Sequence, residues 1–143
     1  MKREIKFRAW EKAVNTMKPA FKGKMWDFDH IGDIRLDQLN LDKEYIYMQY
    51  TSLKDKNGKE IYEGDILSVP HYDKSGVVDK YITLPVVFKE GIFAVQNKID
   101  SAKLHKGLAP LVMLEPTSVV VDVVMLSLCE VIGNIYENPE LLK

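Results

Sequence analysis

Residues 45–51, Tyr45-Ile46-Tyr47-Met48-Gln49-Tyr50-Thr51, are dense in aromatic and β-branched side chains. Such residues suit a pleated, half-buried surface, so the stretch predicts a strand. Residues 55–60 then bring Asn57-Gly58 between Leu53 and Ile61-Tyr62. Asn-Gly accepts the positive φ angles of a type I′ turn, which predicts a β-hairpin. Glu63-Gly64-Asp65 makes a second reversal, with Gly64 free to adopt a left-handed conformation. Ile66, Leu67 and Val69 begin the next strand, and Pro70 stops it or places it at an edge.

Toward the N-terminus, residues 3–10 alternate charge with Ile5, Phe7 and Ala9, putting those three on one face and Lys6 and Arg8 on the other. This predicts a half-buried strand, a turn at Asn15-Thr16 and a return beginning at Met17. Residues 18–40 mix Pro19, Gly23 and Gly32 with Phe21, Trp26, Phe28 and Ile31 without a sustained period, and read as loop with short strands. Leu36, Leu39 and Leu41 offer one helical turn, too short to nucleate alone.

Downstream, residues 71–81 read as a polar excursion around Ser75-Gly76. Residues 84–88 and 92–96 flank Lys89-Glu90-Gly91 as another hairpin. Residues 100–107 are polar loop or one helical turn, and 111–114 and 119–124 are short strands around Glu115-Pro116-Thr117. The five valines in 119–124 favour strand over helix. Residues 129–136 form a last strand, after which Asn138 as cap, Pro139 and Glu140 predict a short terminal helical turn. The pattern predicts a mainly β protein, a small barrel built from hairpins with little helix.

Composition supports a folded chain: of 143 residues, 46% are apolar and 29% charged, far from the polar balance of disordered segments. The net charge of −1 lacks the basic surplus that strong non-specific DNA binding uses. Cys129 alone excludes an intramolecular disulfide and fits a reducing cytoplasm. The N-terminus has no apolar core of a signal peptide, and the apolar run 119–128 is broken by Asp122 and Ser127 and falls short of a bilayer span. The expectation is a protein neither exported nor membrane-embedded.

Three blocks carry a family resemblance. They are residues 4–10 (EIKFRAW), residues 48–66 (MQYTSLKDKNGKEIYEGDI) and residues 131–141 (VIGNIYENPEL). In that order the chain resembles the YopX family of phage and prophage proteins. The resemblance implies a phage or prophage origin, a bacterial host cytoplasm and a mainly β fold similar to a small SH3-like barrel. It brings no catalytic residues. Ser52 departs from the family's pattern, which usually has glycine before Leu53; if the position needs positive φ, serine is strained there. The chain reads as one YopX-like domain over 1–143, or as an N-terminal β subdomain over about 1–43 with a barrel over 44–143.

Candidate chemistry is sparse. Asp55-Lys56-Asn57-Gly58 resembles the start of a calcium loop, but its glycine comes too early and turn chemistry explains it. Glu60, Glu63 and Asp65 are conceivable paired acids, yet around a tight hairpin such residues are usually solvated faces or turn acceptors. His71, His105 and Cys129 show no spacing for a nucleophilic or zinc site, and Cys129 reads as a small buried residue. No catalytic residue, cofactor or metal is expected.

The best local ligand signal is Lys18, Lys22 and Lys24 among Phe21, Met25 and Trp26, a mixture of cations and rings that single-stranded nucleic acid binding uses. The competing and favoured reading is a solvated loop whose Phe21 and Trp26 plug the core. Residues 119–126 are apolar on both alternating faces, so Val119, Val121, Val123 and Met125 form a candidate homo-oligomer interface. The first functional expectation is therefore a non-enzymatic, self-associating β-barrel module that binds a host or phage protein. A nucleic-acid-binding protein using Lys18, Phe21, Lys22, Lys24 and Trp26 comes second, and a small hydrolase third.

Overall fold

A computed structural model describes residues 4–12, 23–28, 45–89, 91–97, 107–112, 124–125 and 128–143. Ten strands form two sheets among these residues, and the described helix is a single 3-10 turn. The fold is mainly β, with one of the two sheets a half-barrel. The chain divides into two compact units, Met1–Tyr50 and Thr51–Lys143.

In the first unit, β1 (Phe7–Glu11) lies between β2 (Lys24–Phe28) and β3 (Tyr45–Lys54), antiparallel to both. The antiparallel return of β1 among the described residues is thus Lys24–Phe28, while the expected turn at Asn15-Thr16 and return at Met17 lie outside them. Ile5 precedes β1 and is exposed, so only Phe7 and Ala9 of the expected stripe belong to the strand. Burial also falls on both faces of β1, with Ala9 on one and Trp10 on the other. Cross-strand partners explain this. Ala9 lies between Trp26 and Tyr47, and Trp10 between Met25 and Ile46. Gly23 has φ +108 and packs against Trp10, where a Cβ would come 2.3 Å from the indole, so the position needs glycine twice over.

β3 continues past Tyr50 into the second unit, where β4 (Glu60–Tyr62) pairs with it. Two residues into that unit Ser52 takes φ +67, the left-handed region that glycine favours. Thr51 holds the distortion, its hydroxyl accepting from the Leu53 amide at 3.2 Å and donating to the Ile61 carbonyl at 2.8 Å.

The turn from β3 to β4 differs from the expected type I′. Gly58 has φ +80, but Asn57 is not among the positive-φ residues. Gly58 N–H donates to the Asp55 carbonyl (3.0 Å) and Asp55 N–H to the Lys59 carbonyl (2.9 Å), the pattern of a type I turn closed by a glycine bulge. The Asp55 carboxylate selects this geometry by accepting from the amides of Asn57 and Lys59, each at 2.9 Å.

The six-stranded sheet runs β10 (Glu130–Asn134), β5 (Asp65–Tyr72), β6 (Val78–Lys89), β7 (Ile92–Asn97), β8 (Gly107–Val112), β9 (Val124–Met125), antiparallel except for the parallel β8–β9 pair. Period-two positions build its core from Ile61, Leu67, Val69, Leu84, Val86, Val95, Cys129 and Val131, with Leu53 and Phe93 packed against them.

Residues 71–81 are not the polar excursion that their composition suggested. They are the distal ends of β5 and β6, joined by a turn at 73–77, with Tyr72 paired to Val78 and a bulge at Asp79. β10 pairs with β5 only at Asp65–Ser68, and β7 pairs with β6 only from Val86 onward. Beyond those limits the two strands form a ribbon that is buried at its base, at Val69, Pro70 and Leu84, and exposed toward its turn, so no alternation marked its distal part in the sequence. Pro70 sits inside β5 just past the reach of β10, and Pro85 inside β6 just before β7 begins pairing. A strand residue without an N–H is tolerated at such positions.

At the C-terminus, Pro139–Leu142 forms the 3-10 turn, with proline in its first turn and Glu140 beside it. Asn138 does not cap it by its side chain; instead its Oδ1 accepts from the Asn134 amide at 3.3 Å. A Cβ at Gly133 would sit 2.8 Å from Asn138 Oδ1 and from Leu141 Cδ1, so glycine lets this turn close onto β10.

Candidate functional site

Polar residues of the central and C-terminal sequence blocks meet in the second unit, Asp55, Asp65 and Asn134 in its interior and Lys56 and Glu130 at its surface. Asp55 is buried, and beyond its two turn amides its Oδ2 accepts from Val131 N–H of β10 at 2.9 Å. Lys56 N–H donates to the Cys129 carbonyl at 3.0 Å, and its ammonium pairs with Glu130 at 3.0 Å. The Glu130 hydrogen bond and charge raise the Lys56 pKa. Asp65, also buried, accepts from Tyr62 N–H at 2.9 Å and from Asn134 Nδ2 at 3.2 Å, while Asn134 Oδ1 accepts from Tyr136 N–H at 3.0 Å. Carboxylates consumed by buried amides hold strands in place and are poorly set up as proton donors or nucleophiles. Glu60 accepts from the Tyr62 hydroxyl at 3.0 Å and Asp65 from the Tyr62 amide, so the two carboxylates hold different groups of the same residue.

Cys129 is fully buried, and burial pushes its thiol up to about 12, far from the thiolate that reactivity needs. His71 lies against Asp79, Nδ1 to Oδ1 2.5 Å, and this hydrogen bond lowers the Asp79 pKa. Among the described residues no group of three or more His, Cys, Asp or Glu could hold a metal ion. No helix among them is long and apolar enough to cross a membrane. His105 lies outside the described residues.

Two surfaces remain, one in each unit. In the second unit, cross-strand register puts Pro70, Tyr72, Val78 and Tyr81 on one face of the ribbon, opposite the face carrying Val69 and Ile82. Val78 is 39% and Tyr81 62% exposed, and Val77 at the turn is 61% exposed. Tyr72 is half-buried, and that burial raises its pKa. Asp73 anchors the turn: its Oδ1 accepts from the amides of Ser75 (2.8 Å) and Val77 (3.0 Å) and from the Ser75 hydroxyl (2.6 Å), and the Ser75 bonds lower its pKa.

In the first unit, register places Lys24 and Trp26 of β2, Ala9 and Glu11 of β1, and Tyr45 and Tyr47 of β3 on one face. Trp26 is 39% and Tyr47 47% exposed, so Trp26 does not plug the core as its sequence context suggested. Its indole N–H donates to the buried Glu11 at 2.9 Å, and the Lys24 ammonium lies 3.7 Å from its ring centroid. Tyr45 and Tyr47 tilt toward each other with centroids 6.4 Å apart.

Of the residues singled out from sequence, Lys24 and Trp26 are thus neighbours on this face, whereas Lys18, Phe21 and Lys22 lie outside the described residues. Val119, Val121 and Val123 also lie outside them, and Met125 belongs to β9, paired in parallel with Val112. Sequence reasoning missed Tyr45 and Tyr47 as surface residues, although their period-two spacing was a signal. Val78 and Tyr81 carried no such signal, because they stand in the stretch whose composition reads as a polar excursion.

The fold is shared with a crystal structure of protein EF1440 from Enterococcus faecalis, 26% identical over 99% of this chain and 100% of the other, at a TM-score of 0.50. A crystal structure of protein yopX from Bacillus subtilis is 20% identical over 96% of this chain and 98% of the other, with a TM-score of 0.49. No curated protein matches the chain. The YopX protein family model matches residues 6–143, covering every block described above apart from its first two residues, and the chain belongs to that family.

Proposed function

We propose that the protein is a non-catalytic interaction module of phage or prophage origin, acting in the cytoplasm of a bacterial host. In this reading it associates with itself and docks a host or phage protein through the β5–β6 ribbon. The observation that supports this is the ribbon face, where Val78 and Tyr81 stand exposed beyond the reach of β10 and β7. Exposed apolar side chains grouped on one face are a feature of interaction surfaces, with aromatic residues favoured as anchors. The buried amide-bound carboxylates agree with a scaffold role for the sequence blocks that define the family.

Light scattering on the eluted full chain at micromolar concentration tests the self-association. A mass above that of the monomer is expected, falling to the monomer mass in a Val78→Lys, Tyr81→Lys double variant. A monomeric wild-type protein would remove self-association. Retention of the oligomer in the double variant would remove the ribbon as its interface.

A further inference from the structure

We infer that the exposed face of the first unit's sheet binds single-stranded nucleic acid, with Tyr47 as the stacking ring and Lys24 as the phosphate contact. The site consists of Lys24, Trp26, Tyr45 and Tyr47, and it is independent of the ribbon proposed above.

Three observations carry it. First, Trp26, Tyr45 and Tyr47 share one sheet face, and Trp26 and Tyr47 are substantially exposed. A sheet face with exposed rings suits unpaired bases, because every base has a π-face and stacking on an aromatic side chain tolerates any sequence. Second, the face is preorganised. Trp26 is held at its edge by Glu11 and on its ring by Lys24, and Tyr45 lies beside Tyr47. Rings already fixed lose little freedom when a ligand arrives. Glu11, the acid on this face among the described residues, is buried and receives the indole N–H.

Third, the local charge departs from the chain average. The protein as a whole has 20 basic and 21 acidic residues, but between Glu11 and Asp27 the sequence contains Lys12, Lys18, Lys22 and Lys24 and no acid. Of these, Lys24 lies in β2 against the Trp26 ring and Lys12 directly follows β1, while Lys18 and Lys22 belong in sequence to the segment that joins the two strands. An anionic polymer with exposed planar groups complements this combination of cations and rings, whereas an acidic protein would use the cations alone.

Fluorescence anisotropy of the full chain tests the proposal, with labelled mixed-sequence single strands of about 16 nucleotides as DNA and as RNA, a matched duplex and poly-glutamate. A saturable rise with single strands is expected in about 50 mM salt, weakening steeply by about 200 mM. Binding should also quench tryptophan emission. Tyr47→Ala should weaken binding about ten-fold, the loss of one stacked base. Lys24→Gln should lower the salt slope by about one, the loss of one phosphate contact. Both positions are exposed, and unchanged melting curves verify that the variants fold. The DNA and RNA arms decide which single strand is preferred. Failure to bind either, equal affinity for the duplex or poly-glutamate, or an affinity unmoved by Tyr47→Ala would each overturn the proposal.

Discussion

The chain builds the same turn twice and uses it in opposite ways. Asp55-Lys56-Asn57-Gly58 and Asp73-Lys74-Ser75-Gly76 have matching backbone bonds, with glycines at φ +80 and +83 and an aspartate Oδ1 accepting two turn amides. The first turn is tied to β10 through Val131 N–H, the Cys129 carbonyl and Glu130, and its aspartate is buried. The second ends the ribbon, where Val77 and the surrounding residues are exposed. Local chemistry thus sets the shape of a turn, while its neighbours decide whether it is a staple or a tip.

The largest expected contrast comes from removing each aspartate. Asp55→Ala strands the buried Val131 amide along with two turn amides, and should cost about 3–4 kcal/mol in urea unfolding. Asp73→Ala leaves amides that water can reach, so the global midpoint should hold while exchange at Ser75 and Val77 accelerates. Comparable losses of global stability would break the distinction between staple and tip.

Alanine at each glycine gives a finer comparison. Neither Gly58 nor Gly76 has a neighbour within 4 Å of a built Cβ, so the cost in both is that of left-handed backbone alone. Gly58→Ala should lower global stability by about 1 kcal/mol. Gly76→Ala should show chiefly as faster amide exchange in the ribbon, because a two-stranded ribbon has little cooperative support. An equal shift of the urea midpoint would mean that the ribbon folds as one with its sheet.

Ser52 enters the stapled hairpin with unfavourable φ, so Ser52→Gly should raise stability by about 0.5–1 kcal/mol. A destabilised variant would show that serine is held there by contacts worth more than the strain. The smallest effect concerns pH at the tip. Hydrogen bonds lower the folded pKa values of Asp73 and Asp79 below the unfolded value of about 3.9. Their contribution is therefore present above that value and is lost as pH falls through the folded pKa. Amide shifts of Ser75 and Val77 should titrate with a midpoint below about 4, and a midpoint above it would contradict the turn geometry.

Much of the fold was legible because period and turn chemistry are local. Tyr45–Lys54, the hairpin around Lys89 and Gly91, and the last strand followed by a proline-led turn all stand where alternation or punctuation placed them. The distal part of the ribbon was illegible for the same reason: toward its turn the strands are exposed on both faces and carry no apolar period. The candidate site was half legible. Lys24 and Trp26 stood out as cations among rings, but Tyr45 and Tyr47 join them only through cross-strand register with β1.

By itself, then, the sequence determined the family, the mainly β character and the positions of the reversals, all of which depend on residues close together in the chain. Only the tertiary structure decided what each element does. Asp55 is a staple because Val131, 76 residues away, brings it a buried amide. Trp26 is a surface ring because Glu11 and Lys24 hold it at the edge of a sheet. Burial and long-range hydrogen bonds depend on which distant strands become neighbours, and residue spacing along one strand does not record that.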